Sequence, residues 1–222
     1  MNNTDPLIRM GHPPPSIIYK KIGRVLPRFF LKVLLFLVIF FISFHFHHFN
    51  FTPGIQYLTS GFYHREKAIQ EILAILDKYP TDLAKANVRK EELAEFIYEE
   101  AMRYNHDPKF ILALISIESS FKNRAVSERG AKGLMQIMPY VAKSIAEEVG
   151  IEWSGDQILF DPFLNIKMGI HYLSKLILDF GDLEIALTAY NYGPTYVRGL
   201  MERKQQIPPH YYRRFVIAYQ TL

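Results

Sequence analysis

Asp107-Pro108-Lys109-Phe110-Ile111-Leu112-Ala113-Leu114-Ile115-Ser116-Ile117-Glu118-Ser119-Ser120-Phe121 is the most informative segment of this 222-residue chain. Asp107 is an N-cap type, and Pro108 follows it at the first helical position, where a missing N–H has no helical partner to lose. Residues 110–115 leave almost no polar face, so the helix is expected to run through the middle of a core, to about Phe121. Ile111, Leu114, Ile115 and Glu118 stand at i, i+3, i+4 and i+7, which puts a carboxyl group where another Leu belongs. An unpaired carboxylate there resists ionising, and desolvation raises its pKa. A carboxyl group that keeps its proton near neutral pH is what a general acid requires. On periodicity alone, Glu118 reaching solvent at the helix end, or pairing with an Arg, explains the position as well.

Working outward, strand signals are nearly absent after residue 64. Ile69, Ile72, Leu73 and Leu76 give helical spacing over 65–79, and Pro80 stops that helix. A second helix is expected over 90–104, with Leu93, Phe96, Ile97 and Ala101 inward. Pro139 opens one that ends at Gly150. Asp161-Pro162 opens a long one that closes at Gly181, Asp182 caps the next, and the last starts after Pro208-Pro209. The expectation is an all-α domain of seven or eight short helices, with no internal repeat.

The amino-terminal quarter has a different composition. Residues 29–49 are almost unbroken apolar and aromatic residues, with Lys32 near the start as the one full charge. At 1.5 Å per residue, roughly 20 such residues cross a hydrocarbon layer. Lys20, Lys21, Arg24 and Arg28 precede the run, so the positive-inside rule keeps residues 1–28 cytoplasmic. A cleaved signal peptide is the competing reading, but the run is longer than a signal core and no small-x-small site follows. His45, His47 and His48 have no acidic neighbour within ten residues, and amphipathic rings are common where a chain leaves the bilayer, so they are read as interfacial and no metal is assigned. The expected organisation is a cytoplasmic basic segment 1–28, a membrane-spanning anchor 29–49, a linker 50–64, a helical extension 65–92 and a catalytic domain 93–222.

Charge narrows the function further. The net charge of +4 lies within residues 1–28, where Arg9 and the four basic residues above oppose only Asp5. The remainder is balanced, which disfavours a nucleic-acid partner. There are no cysteines, hence no disulfide, thiolate nucleophile or cysteine-based zinc site.

Beyond Glu118-Ser119-Ser120-Phe121 come Gly133-Leu134-Met135-Gln136-Ile137-Met138-Pro139, then Phe160-Asp161-Pro162 with Asn165, Gly169 and Tyr172-Leu173, and finally Ala189-Tyr190-Asn191-Tyr192-Gly193. Gln136 is a lone amide in an apolar run, either satisfied in the core or aimed into a cleft. Tyr190 continues the stripe of Leu183, Ala186 and Leu187; it either packs there or lines a cleft, and its hydroxyl needs a partner, for which a buried carboxyl group is suitable. Asn191 and Gly193 are ordinary helix-terminating residues, and Met135 and Met138 ordinary core fillers.

Over roughly residues 93–219, this ordered set closely resembles the catalytic domain of the soluble-type lytic transglycosylases, relatives of goose-type lysozyme. The resemblance implies a lysozyme-like helical domain, here behind a single amino-terminal transmembrane helix. It also implies an enzyme without cofactor or metal, acting on peptidoglycan glycan strands; the anchor and its basic flank put that domain on the extracytoplasmic face of the inner membrane. Glu118 matches the family's single catalytic acid/base and Ser119 its orienting neighbour. Met135, Gln136, Tyr190 and Asn191 match positions that line the sugar groove or position the Glu. Family members often carry a Glu-Thr pair where this chain has Tyr211-Tyr212 ahead of Arg213-Arg214-Phe215-Val216. For these tyrosines, stacking on sugar faces and packing within an aromatic helix are both open.

The expected reaction is non-hydrolytic cleavage between N-acetylmuramic acid and N-acetylglucosamine, leaving a 1,6-anhydro-muramoyl end. Ordinary glycosidases place two carboxyl groups across the scissile bond. The matched motifs offer only Glu118, and Glu128, Glu147 and Glu148 read as solvated. A hydrolytic muramidase on the same fold and a catalytically silent glycan-binding module of an envelope assembly are the alternatives.

Overall fold

Proline and aspartate punctuate the chain where the helices begin. A computed structural model describes residues 32–40 and 53–222, with side chains in the latter from residue 64. The chain divides into two compact units, residues 1–56 and 57–222. In the first, α1 (32–40) is a helix whose apolar side chains from Val33 to Phe40 are all exposed. The rest of the expected span 29–49, the basic segment and His45, His47 and His48 lie outside the described residues. Among the described residues, no helix is long and apolar enough to cross a membrane.

Helix α2 (Pro53–Lys78) buries Ile69, Ile72, Ile75 and Leu76 as one stripe. The expected linker 50–64 is therefore helical from Pro53 onward. Pro53-Gly54 reads as a turn in isolation, but proline at a helix start loses no hydrogen bond. A 3-10 turn (Leu83–Ala86) leads to α3 (Lys90–Arg103), which buries Leu93, Ile97 and Ala101, while half-buried Phe96 meets Phe163 edge-on. In α4 (Pro108–Ser119) the Asp107 carboxylate accepts from Lys109 N–H, and residues 111–115 are fully buried. The helix stops two residues short of Phe121 because Ser120 and Phe121 both turn left-handed, at φ 51° and 61°.

After a long loop, α5 (Pro139–Ile145) gives way to a 3-10 turn (Glu147–Val149) closed by left-handed Gly150, so the expected helix 139–150 is two pieces. Helix α6 (Pro162–Phe180) is capped by Asp161, which accepts from the N–H groups of Phe163 and Leu164, and ends at left-handed Gly181. Helices α7 (Leu183–Tyr192), α8 (Pro194–Glu202) and α9 (His210–Thr221) complete the fold. Sequence reading took Gly193 only as a stop; Pro194 at the next helix's first position is the start signal it missed.

Among the described residues there is no strand, only isolated bridges from Lys132 to Val126 and Ile137. The core gathers around α4, which packs most extensively on α9, with α6 packed against α7. All-α is what the periodicity predicts.

Candidate active site

The site is built on the loop between α4 and α5, and Asn165 of α6 holds that loop. Asn165 is fully buried, and its amide donates to Lys132 O (2.9 Å) and Leu159 O (3.0 Å) while its Oδ1 accepts from Met135 N–H (2.8 Å). Every polar hydrogen of that amide is used, which is how a buried polar group becomes a rigid brace rather than a cost. Gly133 (φ 81°) lies so close to this brace that a Cβ would fall 2.2 Å from Asn165 Nδ2 and 2.3 Å from Leu159 O. Gly169 plays a similar part beneath Met135, whose Sδ would be 2.4 Å from an added Cβ.

Three hydrogen bonds tie the loop's outer turn. Ser127 N–H donates to Ala131 O, Gly130 N–H to Ser127 O, and Ala131 N–H to Ser127 Oγ, each at 2.9 Å. Gln136 adopts φ 49°, and its amide group donates to Gly133 O (2.8 Å) and Ala125 O (3.1 Å). Two carbonyl acceptors fix the orientation of that amide, leaving Oε1 as what Gln136 can offer a ligand. Both readings of Gln136 therefore hold: it is satisfied internally, and it lines a cleft.

That cleft, of about 450 Å³, is lined by Glu118, Gln136 and Met138, by Tyr190, Asn191 and Tyr192 of α7, and by Ser127, Glu128 and Arg129 of the outer turn. A smaller chamber of about 140 Å³ adjoins it, sharing Arg129, Gln136 and Tyr190 and adding Tyr140 and Tyr172. Beyond that, Tyr140, Tyr172, Tyr192 and Tyr196 line a further hollow.

Glu118, half-buried in the last turn of α4, is pushed up to about 7, from an ordinary 4.5, by desolvation. The Tyr211 hydroxyl, which donates to Glu118 Oε1, and the nearby Arg214 guanidinium oppose that rise. The helix carboxyl end acts in the same direction as burial, since its partial negative charge disfavours an anion. Because Oε1 accepts from Tyr211, Oε2 is the oxygen left free to carry a carboxyl proton. Arg214 Nη2 also donates to Ile117 O (3.1 Å), which keeps α9 against the end of α4.

Several expected contacts are placed differently. Tyr190 donates to Met135 O (2.8 Å) rather than to Glu118, although burial and the neighbouring Glu118 charge both hold its hydroxyl well above the usual tyrosine range. Met135 is fully buried; it serves through its backbone, by that carbonyl and by its N–H to Asn165, and its side chain is a core filler. The hydroxyl of buried Ser119 donates to Ile115 O (3.2 Å) within its own helix, so no bond to Glu118 orients the acid from there. Asn191 stands exposed at the cleft edge.

Two residues have contacts or positions that the sequence did not report. Tyr211, 3% exposed, is packed with Phe215 in the core, the second of its two open readings, and its hydroxyl also reaches the catalytic candidate. Its signal was helical register: Tyr211 and Phe215, at i and i+4, are both buried on α9. Glu128, read as solvated, is indeed exposed, yet it stands on the wall of the cleft that holds Glu118.

The family model of the transglycosylase SLT domain matches residues 95–210, just over half of the chain. The chain belongs to this family. Among its relatives, a transglycosylase of Enterobacteria phage PRD1 is 36% identical over 99 residues, which is 45% of this chain and 34% of that protein. The membrane-bound lytic murein transglycosylase C of Mannheimia succiniciproducens is 36% identical over 89 residues, 39% of this chain and 25% of that one. Among solved structures, the lytic transglycosylase Slt of Pseudomonas aeruginosa matches with 27% identity and a TM-score of 0.45, over 62% of this chain and 24% of that one. This SLT chain thus spans about a third or less of the length of these proteins.

The Tyr211 contact gives a testable consequence in this SLT domain. The phenol stabilises the Glu118 anion, so Tyr211→Phe removes a bond made to the charged form and moves the Glu118 pKa further up. A hydrogen bond to a charged group of about 1.5 kcal/mol corresponds to about one pH unit. Activity that needs the protonated acid falls as pH rises through its pKa. In the variant, the alkaline limb of the kcat/KM profile should therefore shift upward by about one unit. An unmoved limb would mean that Tyr211 does not set the proton affinity of Glu118. Tyr190→Phe, whose hydroxyl serves Met135, should leave the limb nearly in place.

Proposed function

We propose that residues 93–222 are the catalytic domain of a peptidoglycan lytic transglycosylase that cleaves the N-acetylmuramic acid–N-acetylglucosamine bond and closes a 1,6-anhydro ring. The observation that carries this reading is a proton-holding carboxyl group, Glu118, in a cleft walled by tyrosines. Glu118 protonates the glycosidic oxygen from Oε2 and is left as a carboxylate. Tyr211 and Arg214 favour the group in that charged form, so the site that holds a proton can also release it. The carboxylate then accepts the proton of the substrate's own C6 hydroxyl as that oxygen attacks C1. One group serves as acid and then base, and the effective molarity of an intramolecular nucleophile replaces a positioned water. Met138 and the faces of Tyr140, Tyr172 and Tyr192 offer apolar and aromatic surface on which sugar rings can stack.

Glu128 supports a second reading, hydrolysis, since a carboxylate on the same cleft wall is what a water-activating base requires. Digestion of purified sacculi in heavy-oxygen water separates the two. Ring closure predicts muropeptides one water lighter than hydrolysed ones, with no label at the new muramoyl ends. Stoichiometric incorporation of label would overturn it in favour of a muramidase.

We also propose that residues 29–49 tether this domain to the inner membrane, with residues 1–28 cytoplasmic and the catalytic domain periplasmic. The basic flank followed by an unbroken apolar run supports the tether. Membrane lipid is then the partner of 29–49, and no nucleic acid is expected to bind. Reporter fusions after residue 64 should report an extracytoplasmic location on a full-length product; a cytoplasmic signal or a shortened soluble product would refute the anchor.

A further inference from the structure

Arg129 is a charge without a counterpart. It is exposed at the tip of the turn that the three Ser127–Ala131 hydrogen bonds hold, and of the ion pairs among the described residues none involves Arg129 or its neighbour Glu128. The turn fixes the backbone while the guanidinium stays uncommitted, so little has to be broken for it to take a ligand. Its place is specific: Arg129 lines both the chamber that holds Glu118 and the adjoining one, whereas Glu128 lines only the first. The adjoining chamber is otherwise walled by Ile137, Met138, Tyr140, Val141 and Tyr172 along with Gln136 and the end of α7. Apolar and aromatic walls suit neutral sugar rings, and a neutral sugar gives a guanidinium nothing that an amide would not supply. A planar fork of donors is matched to a carboxylate.

Resting on the transglycosylase reading above, we infer that Arg129 is a specificity-determining residue that recognises a carboxylate carried on the lactyl arm of a muramoyl sugar bound in the adjoining chamber. That arm supplies a carboxylate in two forms. In a strand bearing peptides, the anion belongs to the stem; in a denuded strand, it is the lactyl group itself. A polymer of N-acetylglucosamine alone has neither. Arg129 would thus separate peptidoglycan from other β-linked N-acetylhexosamine strands by charge, a discrimination that stacking tyrosines cannot make.

The test measures binding, so that it stands apart from catalysis. The full chain carrying Glu118→Gln is titrated with three soluble tetrasaccharides: stem-bearing, amidase-denuded, and all N-acetylglucosamine. The same titrations follow with Arg129→Gln added. The inference predicts about a fivefold weakening for at least one carboxylate-bearing ligand and none for the neutral one, a loss that shrinks in high salt. Loss confined to the stem-bearing ligand identifies the stem as the source; loss on the denuded ligand identifies the lactyl group. Arg129→Lys should recover part of the affinity, because it keeps the charge and loses the fork. Equal weakening for all three ligands, or for none, overturns the inference. The muropeptide product assay with the wild-type chain decides the transglycosylase reading independently: label-free anhydro ends with no Arg129 effect would sink only the charge recognition.

Discussion

Glu118→Gln is expected to abolish turnover of sacculi while leaving the fold and glycan binding close to wild type. Gln has nearly the same shape and can still accept from Tyr211 through its carbonyl oxygen, so the contact between α4 and α9 survives. What is lost is the acidic proton. The leaving oxygen then departs without protonation, and no carboxylate remains to accept the C6 hydroxyl proton. General acid–base catalysis typically contributes about 10²–10⁴-fold, and in the proposed mechanism both halves rest on one group, which argues for the upper end. The loss should fall on kcat. A Gln variant that digests sacculi at the wild-type rate would remove Glu118 from the mechanism; one that loses binding and kcat together would point to a structural role.

The same group links pH to stability. Its folded-state pKa, about 7, lies above the ordinary 4.5, so the native protein holds more protons than the unfolded chain between those values. Folding is then favoured at low pH and loses that contribution as pH rises from about 4.5 through 7. The direction is opposite to that of a salt-bridged carboxylate, because burial rather than a cation sets it.

How much of this was legible in the sequence depends on the range of the interactions involved. Asp107, Asp161 and Asp182 act within three residues of themselves, and all three are seated as N-caps with the expected backbone partners. The stripe from Ile111 to Glu118 is local too, and it gave both the buried helix and the raised pKa. The partner of Glu118 was not local. Tyr211 lies 93 residues away, on a helix whose distance from α4 no periodicity reports. Tyr190 was the hydroxyl matched to it because a buried phenol needs a partner, but the backbone carbonyl of Met135 takes it. Glu128 was read as solvated because a polar loop usually is. Only the fold of the loop, fixed by Asn165 from a third element, brings that loop to the cleft wall.

That dependence makes Gly133→Ala the substitution expected to cost the fold most. Gly133 holds φ 81°, a left-handed conformation that costs a residue bearing a Cβ about 1–2 kcal/mol. The larger part is steric. The new methyl group would lie 2.2 Å from Asn165 Nδ2 and 2.3 Å from Leu159 O, and neither is the loose end of a flexible chain. Asn165 cannot swing aside without giving up its bonds to Lys132 O, Leu159 O and Met135 N–H, all in a fully buried setting. Each buried group left unpaired costs about 1–3 kcal/mol, so the substitution should remove about 4 kcal/mol or more. For a chain of this size, that is a drop in Tm of roughly 10 °C. The damage also has a direction, because Met135 and Gln136 move with the loop, and the Tyr190 hydroxyl loses its acceptor. Surviving folded protein should therefore turn over slowly even at low temperature. A thermal unfolding scan reads the first effect and a low-temperature muropeptide assay the second. A Tm within a degree or two of wild type would mean that the loop can relax around the methyl group, and that Asn165 is not the brace on which the cleft is built.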